Sequence, residues 1–223
     1  MMKYSAIVLL GGSSSRFKMG DGLNKVYQEI NHKPLFLYSV EAFLADQDCE
    51  KVIVVYNKND LDILNKYLDK RFVITEGGIE RYESVMCGLK LVNSTYVLVH
   101  DGARPCINQE LIDRVKVGLQ KSKCVSLGLP VSDTIKQVYD NKVTTISRDN
   151  LFQMQTPQGS VCSDLKNVLA KIKKEDKITD DLMAFEKYSD ITPLIVLGDK
   201  KNIKITTIDD YEYMKYLMEK KNV

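Results

Sequence analysis

The first residues that could do chemistry follow the first apolar run of the chain. Two glycines and three serines lead to Arg16, and Lys25 comes nine residues later. In an open α/β sheet, the loop after the first strand lies at the carboxyl ends of the strands, where ligands bind. Glycines and serines there expose backbone N–H groups that can surround phosphate oxygens, and Arg16 and Lys25 would add positive charge. A solvated loop with two ordinary cations would have the same composition, and neither the G-x-G-x-x-G nor the G-x-x-x-x-G-K-[ST] pattern is present.

A second charged group ends a buried strand. The apolar run at 96–100 is followed by Asp101, and Arg104 comes three residues later. Mg²⁺ prefers one or two carboxylates together with substrate phosphates, so Asp101 facing a phosphate loop is a candidate metal ligand. The alternative is a local ion pair between Asp101 and Arg104 that stabilises a turn. His100 is interpreted as a structural hydrogen-bonding residue, because the chain has only one other histidine.

The elements that must position these residues alternate along the chain. Apolar runs predict strands at 5–10, 51–56, 72–75, 96–100, 125–131, 194–197 and 203–206. Helical spacing predicts helices at 34–45, 60–68, 80–92, 109–120, 179–188 and 208–218. Several strands are apolar on consecutive positions, as expected when both faces are covered. The pattern predicts an α/β fold with a mostly parallel sheet and helices on both sides.

One segment interrupts this alternation. Between residues 133 and 147, two short β-prone pieces flank Tyr139, Asp140 and Asn141. This pattern predicts a hairpin inserted into the α/β frame. A two-stranded ribbon is marginally stable alone in water, so we expect it to pack on something, such as a second subunit.

Composition bounds the function more loosely. The 223 residues are 44% hydrophobic and carry a formal net charge of +2, which excludes a disordered chain and does not suggest a protein that coats nucleic acid. The longest apolar run is too short to cross a membrane. The N-terminus lacks a secretion-signal pattern, and the five cysteines form no C-x-x-C pair, so we expect a cytoplasmic protein with free thiols and no zinc site. No linker divides the chain, which predicts one domain over 1–223.

The order of these motifs resembles the 2-C-methyl-D-erythritol 4-phosphate cytidylyltransferase family of non-mevalonate isoprenoid synthesis. The matching motifs cover the chain from the first strand to the last helix. They are Gly-Gly-Ser-Ser-Ser-Arg at 11–16, Asn-Lys at 24–25, Gly-Gly-Ile-Glu-Arg at 77–81, His-Asp-Gly-Ala-Arg-Pro at 100–105, Pro-Val-Ser-Asp-Thr-Ile-Lys at 130–136, Arg148, Gln-Thr-Pro-Gln at 155–158, Thr-Asp-Asp at 179–181 and Asn-Ile-Lys-Ile-Thr at 202–206.

The resemblance implies a Rossmann-like nucleotidyltransferase fold with an inserted β-arm at 133–150 that joins a homodimer. It implies CTP and a polyol phosphate as substrates, with Mg²⁺. The residues it implies for catalysis are Arg16, Lys25, Arg148 and Lys204. Those it implies for binding CTP are Leu10, Gly11, Gly12, Ser13, Gly78, Ser84 and Asp101, the last also at the metal. Those it implies for binding methylerythritol phosphate are Arg104, Thr134, Thr156 and Thr179, with Thr134 and Arg148 supplied by the neighbouring subunit.

The chain departs from the family pattern at three positions. Ser14 replaces a usual glycine in the phosphate loop, Ile79 stands where relatives carry an acid that contacts the nucleotide, and Gly159 stands where an aromatic residue is usual. The departure at Ile79 raises the alternative of a silent subunit that keeps the fold. None of the three changes a main cation.

Two further alternatives are open from the sequence. A ribitol-5-phosphate cytidylyltransferase of cell-wall polymer synthesis would share the fold and the chemistry, although its relatives read H-D-A/S-V-R-P where this chain has His-Asp-Gly-Ala-Arg-Pro. A Rossmann-type dinucleotide-binding protein, such as a dehydrogenase, would need an acid about 20 residues beyond a glycine fingerprint, and residues 31–33 contain none.

Overall fold

The computed structural model describes residues 2–12, 17 and 23–220. Its strands are β1 (Tyr4–Leu9), β2 (Glu29–Ile30), β3 (Lys33–Pro34), β4 (Cys49–Tyr56), β5 (Phe72–Glu76), β6 (Tyr96–Asp101), β7 (Cys124–Pro130), β8 (Ile135–Tyr139), β9 (Lys142–Ile146), β10 (Phe152–Val161) and β11 (Leu194–Leu197). Its helices are α1 (Leu35–Ala45), α2 (Leu61–Leu64), α3 (Arg81–Leu89), α4 (Gln109–Leu119), α5 (Cys162–Leu169), α6 (Asp181–Tyr188) and α7 (Ile208–Lys220).

Seven strands form one sheet in the order β11-β7-β10-β6-β1-β4-β5. Pairing is parallel except for β10, which runs antiparallel to both β6 and β7. Alternate residues of β1 enter two cores: Ala6 and Val8 lie in the core shared with α1 and α4, whereas Ile7 and Leu9 lie in the core shared with α3, α5 and α6. The predicted mostly parallel sheet with helices on both faces is confirmed.

The sequence did not predict β10 or the helix α5 that follows it. The central part of β10 buries polar side chains, among them Gln155 and Gln158. These glutamines are paired: Gln155 Nε2 donates to the Asp199 carbonyl at 2.9 Å, and Gln158 Nε2 donates to Asp180 Oδ2 at 2.9 Å. Because β10 buries polar side chains that are hydrogen-bonded, its sequence lacks the run of apolar residues that predicted the other strands.

Gly159 permits close packing behind β10. A Cβ at this position would lie 2.6 Å from Val115 Cγ1 of α4. A side chain at this position would therefore require Val115 on α4 to shift.

The predicted strand at 203–206 is wrong. These residues have no strand pairing, and the Ile205 N–H donates instead to the Ala103 carbonyl at 2.9 Å. Ile205 is buried with Leu35 and Met214, so its apolar character reflects packing against α1 and α7. The predicted helix at 60–68 is also interrupted: α2 has four residues between two 3₁₀ turns.

The predicted hairpin is present as β8 and β9. Its register places Tyr139 opposite Lys142, and Asp140 and Asn141 have φ values of 45° and 61°. A two-residue turn with both central residues at positive φ matches the right-handed strand twist. Among the strands that the structure describes, β8 and β9 pair only with each other. We call residues 133–150 the arm.

None of the helices in residues 2–12 and 23–220 is long and apolar enough to span a membrane.

Candidate functional site

A cleft of about 580 Å³ lies at the carboxyl ends of the parallel strands. Residues after β1, β4 and β5, the end of β6, and Lys204 line it. The lining residues are Leu9, Gly11, Gly12, Tyr56, Asn57, Lys58, Asn59, Glu76, Gly77, Gly78, Ile79, Glu80, Arg81, Ser84, Asp101 and Lys204. Predicted site residues distant in sequence are thus brought together at the sheet edge where open α/β folds bind ligands.

The phosphate-loop side of the cleft begins where β1 ends. The Leu10 side chain is buried, its N–H donates to the Val55 carbonyl at 2.8 Å, and its own carbonyl accepts from Asn24 Nδ2 at 3.2 Å. Lys25 follows Asn24 and is half-buried, and it is not among the described residues that line the cleft. Gly12 has a φ of +139°, a conformation that favours glycine. Ser13 and Arg16 lie outside the described residues.

The opposite wall is a turn built around Gly78. The Gly78 N–H donates to Ser84 Oγ at 3.2 Å, and Glu83 Oε2 accepts from the N–H groups of Ile79 and Glu80 at 2.8 and 2.9 Å. A Cβ on Gly78 would lie 2.3 Å from Glu83 Cβ, so the capped turn requires glycine. Ile79 is 96% exposed at the mouth of the cleft. The turn is therefore preorganised by its own helix, α3.

Asp101 is the centre of charge on the cleft floor. Its Oδ2 lies 3.0 Å from Lys204 Nζ and 3.5 Å from Arg104 Nε, and its Oδ1 lies 4.0 Å from Arg81 Nε. Burial by itself raises the pKa of Asp101, but Lys204, Arg81 and Arg104 outweigh it and hold the pKa well below its usual range. The carboxylate is ionised at neutral pH. The Asp101–Arg104 ion pair considered from the sequence is present, and it forms part of the cleft.

Arg81 is a cleft residue that the sequence analysis did not single out. Its Nη1 lies 2.7 Å from Asp181 Oδ1, in the first turn of α6. Burial by itself lowers the pKa of Arg81, but the negative charges of Asp181 and Asp101 raise it by more. The net shift is upward, so the guanidinium remains charged. The motifs at 77–81 and 179–181 were both recognised, but their spacing of 100 residues carries no sign that they meet. Asn57 and Asn59, after β4, were also missed, although they follow an apolar strand.

Arg104 and Thr156 lie beneath the floor. Arg104 is buried and donates from Nη1 to the Asn202 carbonyl at 2.9 Å. The Thr156 hydroxyl accepts from the Asp101 N–H at 3.1 Å and lies 3.0 Å from His100 Nδ1. Burial lowers the pKa of His100 to about 4, so its ring is neutral at physiological pH.

The other two predicted substrate residues, Thr134 and Thr179, and the predicted catalytic residue Arg148 are exposed. Thr134 and Arg148 belong to the arm, and Arg148 Nη1 donates to the Ser132 carbonyl. Thr179 precedes the Asp180 cap of α6. None of the three contributes to the described lining of this chain's cleft.

The described residues contain no group of three or more His, Cys, Asp or Glu side chains that could hold a metal ion by themselves. Asp101 nevertheless fits the one-carboxylate role that Mg²⁺ has beside nucleotide phosphates. Its Oδ2 lies closest to Lys204 and Arg104, and its Oδ1 lies 4.0 Å from Arg81 Nε.

A mostly parallel sheet with a glycine-lined, cation-bearing cleft at its carboxyl ends is typical of α/β enzymes that bind nucleotides or other phosphates. Residues 5–220 match the model of the IspD family, 2-C-methyl-D-erythritol 4-phosphate cytidylyltransferase. Proteins of that name from Lachnospira eligens and Bacillus pumilus are 36% and 35% identical to this chain; the alignments cover 93% and 98% of this chain and 96% and 98% of theirs.

Solved structures are similar over the same length. The 4-diphosphocytidyl-2C-methyl-D-erythritol synthase of Anaerococcus prevotii has a TM-score of 0.85 and 29% identity, over 98% of this chain and 96% of that one. The 2-C-methyl-D-erythritol 4-phosphate cytidylyltransferase of Francisella tularensis has a TM-score of 0.79 and 31% identity, over 97% and 99%. The chain belongs to the 2-C-methyl-D-erythritol 4-phosphate cytidylyltransferase family. The predicted resemblance and enzyme class are confirmed, and the ribitol-5-phosphate alternative is not favoured.

Proposed function

We propose that this chain transfers CMP from CTP to 2-C-methyl-D-erythritol 4-phosphate and releases pyrophosphate, in non-mevalonate isoprenoid synthesis. The observation that carries this proposal is the single cleft in which the Gly11–Gly12 backbone, the Gly78 turn, Asp101 and Lys204 meet. The reaction joins two anions. Fixed cations around the cleft oppose that repulsion.

The reaction requires no covalent intermediate. A phosphate oxygen of the acceptor forms a bond to the α-phosphorus of CTP, and the bond between that phosphorus and the α,β-bridging oxygen breaks. The electron pair leaves with pyrophosphate. Catalysis of such a transfer rests on positioning and on stabilising the charge that develops.

We assign CTP to the cleft itself. Backbone groups of Leu10, Gly11, Gly12 and Ser13 would surround the triphosphate. Gly78 and Ser84 would hold the nucleoside against the opposite wall, where the capped turn is rigid. Asp101 would lie beside the ribose and the phosphates.

We assign the charge stabilisation to lysine and arginine side chains. Lys25 and Arg16 would face the α-phosphate, where negative charge increases in the transition state. Lys204, whose ammonium lies against Asp101, would position the acceptor phosphate together with Arg148. Thr134 and Thr179 would complete the acceptor side, and Arg104 and Thr156 would support the cleft floor from beneath.

We also propose that Mg²⁺ accompanies CTP, held by Asp101 and the nucleotide phosphates. The ion would supply positive charge to the triphosphate and favour departure of pyrophosphate. The chain's own part is to keep Asp101 ionised, which the surrounding cations do.

We further propose a homodimer joined through the arm. Val138, Tyr139 and Val143 are 62–74% exposed on a ribbon that pairs only with itself among the described strands. An isolated two-stranded ribbon with exposed apolar side chains is stabilised by burial against a partner. A second copy would also receive Thr134 and Arg148, which do not line the cleft of their own chain.

We place the protein in the cytoplasm. All five cysteines lie in the described part of the chain, and none of them forms a disulfide bond. Free thiols are typical of a reducing compartment.

A direct test incubates the purified protein with CTP, Mg²⁺ and either 2-C-methyl-D-erythritol 4-phosphate or ribitol 5-phosphate. We expect a cytidylylated product and pyrophosphate, measured by mass spectrometry, with methylerythritol phosphate as the faster acceptor. Faster transfer to ribitol 5-phosphate would replace the acceptor in the proposal. Absence of transfer to either acceptor would reject it.

Ile79→Asp should raise the preference for CTP over UTP about tenfold, the range of one charge-assisted hydrogen bond. Ile79 is almost fully exposed at the mouth of the cleft. A carboxylate there would accept from the amino group of cytosine and would repel the carbonyl of uracil. Calorimetric titration with both nucleotides measures the ratio, and Ile79→Asn, which has the same shape without the charge, is the control. Equal ratios in all three proteins would show that an acid at this position is dispensable here.

A further inference from the structure

His100 lies directly beneath the cleft floor and is completely buried. Its ring packs edge-on against Phe43 at 5.5 Å between centroids. It precedes Asp101 in β6, so its side chain points to the opposite face of the sheet from that of Asp101. His100 is therefore close to the charged site without reaching the cleft.

Two hydrogen bonds hold the ring. His100 Nε2 lies 3.1 Å from the Arg104 carbonyl, which can only accept, so Nε2 carries a proton. Nδ1 lies 3.0 Å from the Thr156 hydroxyl, which donates to it when the ring carries a single proton. The oxygen of that hydroxyl accepts from the Asp101 N–H at 3.1 Å. The path runs from Asp101 through Thr156 and His100 to Arg104.

The hydrogen bonds of Thr156 and His100 begin where the pairing between β10 and β6 ends. Pairing of β10 with β6 ends at Gln158 opposite Val99, two residues before Asp101. The Thr156 side chain supplies the acceptor that the ladder no longer offers to the Asp101 N–H. At the other end of the turn, the Arg104 carbonyl is held by His100 and by Ser39 Oγ at 3.2 Å.

We infer that His100 is a positioning residue for the transfer reaction, fixing the Asp101–Arg104 turn through Thr156 at one end and the Arg104 carbonyl at the other. The inference rests on the proposed function, since it concerns the same site. It also changes the part given to Thr156: the hydroxyl that the resemblance assigns to the acceptor has both its proton and an acceptor position engaged within the protein.

The consequence for catalysis follows from the distances at Asp101. Its Oδ2 lies between Lys204 and Arg104, at 3.0 and 3.5 Å. Loss of the His100 bonds leaves Ser39 as the remaining side-chain donor to the Arg104 carbonyl and leaves the Thr156 hydroxyl without its acceptor, so we expect these charges to shift relative to the reacting phosphates. A displacement of about 1 Å outside the reacting centre can lower a rate about 100-fold.

The kinetic test compares variants at the only two histidines of the chain. His100→Phe keeps a ring against Phe43 and removes both hydrogen bonds, and we expect kcat to fall about 10- to 100-fold. The KM values for CTP and acceptor should stay within about threefold, because the nucleotide contacts are made by other residues. His100→Asn keeps an acceptor for Thr156 and should recover part of the loss. His32→Asn, the same change at the exposed histidine, should behave as the unchanged protein.

A kcat for His100→Phe within twofold of the unchanged protein would overturn the inference, as would a rise in KM alone. If His100→Phe does not fold, His100→Asn carries the same two criteria, with a smaller expected loss. Circular dichroism and the unfolding midpoint identify the folded variants.

A second measurement separates this inference from the proposed function. Long-range ¹H–¹⁵N spectra of the imidazoles should show two residues, assigned by His32→Asn, and the buried one should carry its proton on Nε2. In His100→Asn, the backbone amide signals of Asp101 and Arg104 should shift. If the unchanged protein transfers no CMP, the proposed function fails, and these signals alone decide whether His100 holds the turn. A proton on Nδ1, or unshifted amide signals, overturns the inference.

Discussion

Replacing Lys25 with alanine should lower kcat by roughly 100- to 1,000-fold, and Arg16→Ala should do the same. A preorganised donor aimed at charge that develops in the transition state typically contributes about 3–4 kcal/mol. Lys25 follows Asn24, whose amide holds the Leu10 carbonyl at the start of the phosphate loop. We expect its ammonium to act on the proposed triphosphate as a compact point charge.

The measurement is single-turnover CMP transfer at saturating CTP and acceptor, so that a loss in binding does not enter kcat. Lys66→Ala is the matched control, because Lys66 is exposed in a 3₁₀ turn and does not line the cleft. The unfolding midpoint of Lys25→Ala should stay close to that of the control. Turnover near that of the unchanged protein, in either Lys25→Ala or Arg16→Ala, would remove that residue from the catalytic set.

Mixing inactive Lys25→Ala and Arg148→Ala proteins should restore roughly a quarter of the original activity. Arg148 lies on the arm and is not among the described residues that line the cleft of its own chain, so we expect it to serve the site of the partner. In a mixed dimer, one site then collects both lesions and the other has neither. Random exchange makes half the dimers mixed, each with one good site in two, which gives about a quarter.

The two proteins are unfolded and refolded together, and CTP turnover is measured after native gels confirm exchange of subunits. A mixture of Lys25→Ala with Lys204→Ala is the control. Lys204 lies against Asp101 of its own chain, so every site in that mixture should carry one lesion. Recovery in the control, or no recovery with Arg148→Ala, would show that the arm does not share the site in the proposed way.

The burial of two predicted acceptor residues also supports an active site shared between two subunits. Arg104 and Thr156 are buried beneath the floor with hydrogen bonds inside the chain, so they offer little to an incoming acceptor. Arg81, by contrast, lies in the cleft wall and is fixed by Asp181. We therefore expect the acceptor phosphate to depend on Lys204 and on a cation from outside this cleft. Arg148 of a second subunit is our candidate.

What the sequence determined by itself is local. Consecutive apolar residues identified β1, β4 and β6, because a strand covered on both faces must be apolar along its length. The glycines at 11 and 12 marked the loop after β1, and the polar turn at Asp140 and Asn141 marked the arm, since its residues tolerate positive φ. Motif order was enough to indicate the family and the reaction.

The tertiary structure decided which distant residues meet and which apolar runs are strands. The polar strand β10 exists because Gln155 and Gln158 find partners in Asp199 and Asp180, contacts that no local pattern records. Ile205 matched a strand by its apolar character but is buried against α7, since a buried position is apolar whatever its backbone pairing. Lys204 lies 3.0 Å from Asp101 although 103 positions separate them in the sequence. The tertiary fold brings them together, and local propensity carries no information about such pairs.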